Sequence, residues 1–391
     1  MSVIRVSPLA HNQCDCMFEN LRVVELASVL AGPSVGQFFA ELGAEVIKIE
    51  NLKSGGDITR TWKIAGEKSG DLSAYFCSCN WGKKSVAVDL SSYRGREIVQ
   101  RLAFKSDVVI ASYKPGDAEK LGVAFNQLRT NNKQLIYGQI TGYGSDNDRV
   151  GYDAVIQAEA GFMDLNGEKD GPPTKMPVAL IDILAGHQLK VGLLLALLKR
   201  ERTGEGSSVE VSLIQTAVAS LANQATNWLT TGKLPARKGS AHPNIAPYGD
   251  SFVMNDGKKI LLAIGSDRQF EDLMEVLGIG HESLGDKFLT NQQRVENRIP
   301  LNRLLEERMA KLDSNIFLEK ANNKKIPAGV IQNLKEVFEM KEAEELLLKH
   351  NGIIGVRNFV GKDSSNRLSV NSLLPPPHFG EHTEEVLRAL S

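Results

Sequence analysis

Cysteine is scarce here, and it is spaced wrongly for either of its structural uses. The 391 residues hold four, arranged as two Cys-x-Cys pairs, Cys14/Cys16 and Cys77/Cys79. Zinc frameworks use wider spacing and usually add histidine, and a disulfide scaffold needs far more cysteine per residue. No metal centre is expected, and free thiols fit a reducing compartment. An excess of one charge is lacking too, since 46 Lys+Arg stand against 47 Asp+Glu, a net charge of -1. Affinity for polyanions comes from a basic excess, so neither a nucleic acid nor a membrane surface is an expected partner. The opening MSVIRVSPLAHNQCDCMFEN has no apolar core of the kind a secretory signal needs, and its one Arg against two acids makes a poor mitochondrial presequence. The apolar stretch from Pro177 to Arg200 contains Asp182, His187, Gln188 and Lys190. A membrane span needs about 20 mostly apolar residues, so this reads as a core helix. The expected location is the cytoplasm, with the mitochondrial matrix as the alternative.

What is present is an alternation of strands and helices. LRVVEL, EVIKIE, SVAVDL, DVVIASY, KQLIYGQITGYG and VEVSL are short apolar runs, separated by helical segments such as GPSVGQFFAELGA and GREIVQRLAFKS. That pattern predicts an α/β fold with a mostly parallel sheet covered on both faces. From residue 229 a Gly/Pro-rich stretch leads into SFVMNDGKKILLAIG, a hairpin with Asp256-Gly257 at its turn, and then into charged helices. The later IPAGVIQNLKEVF and LPPPHFGEHTEEVLRAL resume the style of the first half. The expected layout is a tail over 1–20, a large Rossmann-like domain over 21–228, a linker and smaller α+β domain over 229–320, and a return to the large domain over 321–391. Thr383 is placed to cap a last helix.

Asp182 carries the main question. It stands at the start of a helical pattern whose apolar residues Leu184, Val191, Leu194, Leu195 and Leu198 predict a buried stripe. An ionised side chain buried there without a partner costs several kcal/mol. Either Asp182 caps the helix, or it does chemistry. Ala185 and Gly186 follow one turn on, which predicts an open, small-sided surface beside it. The glycines Gly32, Gly36 and Gly43 do not spell the dinucleotide fingerprint, which disfavours a nicotinamide cofactor. Lys83, Lys84, Lys114 and Lys120 flank strands, where they either meet phosphates or sit on a solvated surface.

Taken together, LRVVELASVLAGPSVGQFFAELGAEVIKIE, GGDITR, NWGKKSVAVDL, YKPGDAEKLG, PVALIDILAG, RTGEGSSVEVSL, HPNIAPY, IPAGVI and GEHTEEVL resemble the family III coenzyme A transferases, also called CaiB/BaiF. The resemblance runs in order from Leu21 to the C-terminus. It implies two chains threaded into an interlocked homodimer, and Asp182 of the D-x-x-x-G motif as nucleophile, with Gly186 beside it. The same likeness places the nucleotide part of CoA along Val29, Leu30, Asn51, Val88, Ser112, Tyr113 and Lys120, with Lys84, Lys114 and Tyr152 as further phosphate or substrate contacts. Asn51 and Ser112 stand where oxalate-pathway members carry Arg and Asn, and Ile181 stands where they carry Gly. Lys53, Lys114 or Lys120 then takes over the phosphates. SAHPNIAPYGDSF replaces their Gly-rich lid, which points to a different acid.

The implied reaction moves CoA from an acyl-CoA to a free carboxylic acid, with a dicarboxylate such as succinate as the family-level expectation and no permanently bound cofactor. Two other readings compete. An α-methylacyl-CoA racemase shares the fold but pairs its Asp with a His in G-H-D, where this chain has Tyr152 in GYDAVIQ; a phenol with an ordinary pKa near 10 is a poor base. His187 reads as structural. A non-catalytic acyl-CoA-binding protein has no need of Asp182.

Overall fold

A computed structural model describes residues 16–280, 285–364, 370 and 372–390. Cys14 and most of the expected N-terminal tail lie outside the described residues. The chain divides into two compact units, one made of 1–160, 177–222 and 345–391, the other of 161–176 and 223–344.

The first unit is built on six parallel strands: β1 (Arg22–Leu26), β2 (Glu45–Asn51), β3 (Lys83–Val88), β4 (Val108–Ala111), β5 (Ile136–Thr141) and β6 (Ser208–Ser212). Their order is β3-β2-β1-β4-β5-β6. This doubly wound order reverses direction between β1 and β4, so the loops leaving those two strands open a crevice at their C-terminal ends. The strands are nearly continuous apolar runs because both faces are covered. Val24, Ile47, Val86 and Val109 are almost fully buried, with Leu102 and Val386 from two helices packed on them. The last helix, Thr383–Leu390, lies beside β3. The Thr383 hydroxyl, expected as its cap, is engaged elsewhere: its Oγ1 accepts the Ala87 N–H at 3.0 Å and donates to the Gly380 carbonyl at 2.7 Å, while the His382 N–H donates to the Ser85 carbonyl at 2.9 Å. The exposed edge of β3 is thereby covered.

The long helix Leu180–Thr203 buries a different stripe from the expected one. Ile181, Ala185, Leu189, Leu193 and Ala196 face inward, whereas Val191, Leu194, Leu195 and Leu198 are exposed, Leu195 by 61%. The helix is apolar on both sides, and the side that carries Ala185, Gly186 and Ala196 among its larger residues packs on the sheet and the first helix, Ala31–Glu41. By length and composition it is able to cross a membrane; its inner face packs on β5 and β6.

The second unit centres on three antiparallel strands, β7 (Tyr248–Val253), β8 (Lys259–Ala263) and β9 (Ala328–Val330). Gly257, at φ +82°, makes the hairpin turn. Phe252, Ile260, Leu262, Phe270, Leu301 and Phe317 form its core. The unit's limits depart from the expected 229–320. Strand β9 completes the small sheet beyond residue 320, so the first unit resumes only at Glu345. The unit also takes in Gly161–Met176, where the Arg237 guanidinium donates to the Asp164 carbonyl at 2.9 Å and the Gly239 N–H to the Gly167 carbonyl at 3.1 Å.

Candidate active site

Asp182 is the third residue of the long helix and only 9% exposed. It does not cap that helix. The N-terminal residue, Ala179, has no capping side chain, and the carboxylate of Asp153 takes over. Asp153 Oδ1 accepts the Ile181 N–H at 2.7 Å and the Asp182 N–H at 3.4 Å, and its Oδ2 accepts from Gln157 Nε2 at 2.7 Å. Asp153, at the start of the short helix Asp153–Glu159, thus satisfies backbone donors that Asp182 was one candidate to satisfy. The Asp182 carboxylate is left without a hydrogen-bond or ion-pair partner among the described residues. Burial first, and the Asp153 charge second, push its pKa up from 3.8 to about 7. Tyr75 stands within reach of the same field: burial and then Asp182 raise its phenol to about 12. It therefore keeps its proton at neutral pH.

Asp182 opens into a cleft of about 200 Å³ at the β1/β4 crevice, with Val29, Tyr113, Lys114, Arg149 and Tyr152 around it. Ser112 also lines it, and its Oγ accepts the Ser28 N–H at 3.3 Å. Lys114 has no side-chain partner among the described residues. Arg149 is paired with Glu159 and lies 4.3 Å over the Tyr143 ring. A second cleft of about 430 Å³ lies along the ends of β1, β2 and β3, with Ser28, Lys48, Asn51, Lys53, Asp57 and Tyr113 on its walls. Ser28 and Tyr113 belong to both clefts.

The geometry therefore gathers Val29, Ser112, Tyr113, Lys114 and Tyr152 around Asp182 and puts Asn51 with Tyr113 in the wider cleft. The remaining expected contacts fall elsewhere. Lys84 lies in the N-terminal half of β3, opposite Ile47, and its ammonium is engaged by Glu45 at 3.1 Å and Glu385 at 2.8 Å; it is at the wrong end of the sheet for a phosphate. The Val88 side chain belongs to the core. Leu30 precedes the first helix, its carbonyl accepting the Ser34 N–H at 2.8 Å. Lys120 is 75% exposed and paired with Asp117 at 2.9 Å, lining neither cleft. Gly186 does not leave an open surface. A Cβ there would sit 2.5 Å from Ser34 Oγ and 3.2 Å from the Ala31 carbonyl, so the glycine admits the first helix. His187 is exposed rather than part of the core. Sequence reasoning missed Asp153 as the helix cap and Tyr75 altogether. The usable signal for the first was an Asp in the first turn of the GYDAV helix.

Among the described residues no group of three or more His, Cys, Asp or Glu is placed to hold a metal. Cys77 and Cys79 are buried free thiols, raised to about 11 chiefly by burial, which keeps them protonated.

Comparison with known proteins agrees with this geometry. The sequence model of CoA-transferase family III matches residues 18–383. The succinate–glutarate CoA-transferase of Agrobacterium fabrum is 36% identical over 384 residues, 95% of this chain and 94% of that protein. The succinyl-CoA:glutarate CoA-transferase of Mus musculus is 35% identical over 391 residues, covering 96% and 87%. The crystal structure of a CaiB/BaiF family protein from Brucella suis superimposes with a TM-score of 0.83 at 40% identity, covering 96% of this chain and all of that one. With an α/β sheet in doubly wound order and a match spanning nearly its whole length, the chain belongs to CoA-transferase family III, enzymes that exchange CoA between acyl-CoA thioesters and carboxylic acids.

Proposed function

We propose that the protein moves CoA from a dicarboxylic acyl-CoA to a second dicarboxylic acid, with Asp182 as covalent nucleophile. The observation that carries this is a buried carboxylate with no partner among the described residues, at the wall of a cleft that also holds Lys114 and Arg149. A carboxyl whose pKa is raised to about 7 is about half ionised at neutral pH, and its carboxylate is poorly solvated, which favours attack. Asp182 attacks the thioester carbonyl, forming a mixed anhydride and releasing CoA thiolate. The thiolate then attacks the aspartyl carbonyl, freeing the first acid and leaving an aspartyl-CoA thioester. The incoming acid attacks that thioester to form a new anhydride, and the thiolate returns to the acyl carbonyl. One thioester is exchanged for another overall, the mixed anhydrides being transient, so no ATP is consumed. Ala31 and Gly32, at the start of the first helix, and Tyr152 line the cleft, and their N–H and hydroxyl groups are the proposed donors for the oxyanion.

The wider cleft takes the nucleotide, with Asn51 and Tyr113 on its walls and Lys53 and Lys114 best placed for the phosphates. Lys120 reaches a phosphate only by releasing Asp117. The distal carboxylate of the acid is the charge that Lys114 or Arg149 would meet, and the names of the Agrobacterium and mouse relatives give the same acid class. The exposed second stripe of the long helix supports the interlocked homodimer, in which a second copy covers it. The cytoplasm is the proposed location. Mass spectrometry of CoA exchange from succinyl-CoA to a panel of acids tests the reading. Transfer to C4–C6 dicarboxylates, with monocarboxylates inert, is expected. Transfer only to monocarboxylates would overturn the acid class, and α-hydrogen exchange in deuterated water at the turnover rate would overturn transfer itself.

A further inference from the structure

The turn Ala27–Val29, which joins β1 to the first helix, stands between the two clefts, since Ser28 lines both and Val29 lines the one holding Asp182. Its backbone is unusual. Val29 has φ +72°, a left-handed conformation that a β-branched residue avoids. Strained backbone of this kind persists where the surroundings over-determine it, and here they do. Lys48 Nζ donates to the Ala27 carbonyl at 2.8 Å, and the Ser28 N–H donates to Ser112 Oγ at 3.3 Å. The Val29 N–H donates to both carboxylate oxygens of Asp57, at 3.3 and 3.2 Å, and the Val29 carbonyl accepts from the Cys79 thiol at 3.5 Å.

Asp57 is itself held firmly. Lys48 pairs with its Oδ2 at 3.0 Å, and its Oδ1 accepts from the Thr59 N–H at 3.0 Å and the Thr59 hydroxyl at 2.8 Å. Asp57 is 5% exposed. Nothing in the proposed chemistry requires a carboxylate at this point, and none of the reacting bonds needs it.

We propose that Asp57 is a positioning residue for CoA transfer: braced by Lys48 and Thr59, its carboxylate locks the Val29 turn in the left-handed form, so that an acyl-CoA lying across both clefts presents its thioester to Asp182. The inference rests on the CoA-transfer reading of the site. It predicts a split in the kinetics. Loosening the turn leaves the nucleotide cleft in place but misplaces the thioester, so kcat falls while the KM for acyl-CoA changes little.

The test is a double-mutant cycle between Asp57→Asn and Val29→Gly. Glycine adopts positive φ without strain, so the turn no longer depends on the clamp once Val29 is replaced. Asp57→Asn is expected to lower kcat about tenfold or more in the Val29 background and only about twofold to threefold in the Val29→Gly background. Crystals of Asp57→Asn should show Val29 relaxed to negative φ. An equal kcat loss in both backgrounds, or Val29 unchanged at positive φ, would overturn the proposal. If Asp57→Asn does not fold, Thr59→Val removes one brace and is expected to shift kcat in the same direction by a smaller factor, again suppressed by Val29→Gly. A wild type that transfers CoA to no acid defeats the reading beneath the proposal, whereas an active wild type with an indifferent Asp57→Asn defeats only the proposal; the Val29 φ angle reports on the clamp in either case.

Discussion

Two groups of buried charge lie on the same unit and are treated in opposite ways. Beneath β1 and β2, Lys48 is bound by Glu25 at 2.9 Å, by Asp57 at 3.0 Å and by the Ala27 carbonyl, while Lys83 is bound by Glu25, Asn80 and the Pro33 carbonyl, each at 2.8 Å. Burial alone would strip Lys48 of its proton, but Glu25, Asp57 and Glu50 outweigh it and its pKa rises instead. At the start of the long helix, Asp182 is nearly as buried and has no such partner among the described residues, so burial, and then the Asp153 charge, raise its pKa to about 7. Partners fix the geometry of both lysines, although burial lowers the Lys83 pKa where that of Lys48 rises; the carboxylate that lacks them is left reactive. The first group shapes the crevice and the second acts in it.

Breaking the paired group should have the largest energetic effect. Lys48→Met removes the cation shared by Glu25 and Asp57, leaving Glu25 only Lys83 and Asp57 only its Thr59 and Val29 donors, and is expected to destabilise the protein by about 3–5 kcal/mol in denaturant titration. A loss below about 1 kcal/mol would mean that the pairs contribute no net stability. Asp182→Asn should do the reverse. The folded pKa lies above the unfolded one, so below about pH 3 both states are protonated and the wild type bears almost no penalty. As pH rises toward 7 the unfolded state releases its proton first, and the wild type loses stability until the loss is complete above pH 7. The Asn variant should therefore gain on the order of 2–4 kcal/mol over wild type at pH 8 and almost none at pH 3. A gain independent of pH would contradict the burial account.

Two smaller effects sharpen the contrast. Lys114→Ala removes the unpartnered cation of the cleft and should raise the KM for acyl-CoA or for the acid about tenfold, by loss of a charge-assisted hydrogen bond, with kcat changed less. Lys84→Ala, at the far end of the sheet, should leave both constants alone. Asp153→Asn keeps an acceptor for the helix N–H groups but removes the neighbouring charge, so Asp182 should titrate lower. The acid limb of kcat/KM should move down by about one pH unit or less, because burial is the larger cause. A limb that stays in place would show that the Asp153 charge is not felt.

The sheet was legible because parallel strands covered on both faces are written as short apolar runs, and LRVVEL, EVIKIE and SVAVDL fall on β1, β2 and β3. The buried face of the long helix was not. A helix apolar on two sides gives no phase, and large leucines at Leu194, Leu195 and Leu198 drew the prediction away from the small residues that pack inward. Gly186 has the same origin: whether a small residue opens space or admits a neighbour depends on Ser34, 152 positions earlier in the chain. Asp182 could be singled out from its apolar surroundings, but its freedom from capping depended on Asp153, 29 residues away. Lys84 was misplaced for want of direction, since a lysine in the first residues of a parallel strand lies at the end away from the crevice. The left-handed turn at Val29 left no local signal, because the groups that enforce it come from β2, from the segments holding Asp57 and Cys79, and from the loop after β4.

The central claim, that the unpartnered carboxylate is the covalent nucleophile, is tested most directly by trapping. Wild type incubated with succinyl-CoA and hydroxylamine, digested and read by mass spectrometry, should carry a hydroxamate on Asp182, and Asp182→Ala should carry none and transfer no CoA while remaining folded. Full turnover with Asp182 unmodified, or a hydroxamate on another carboxylate, would contradict it.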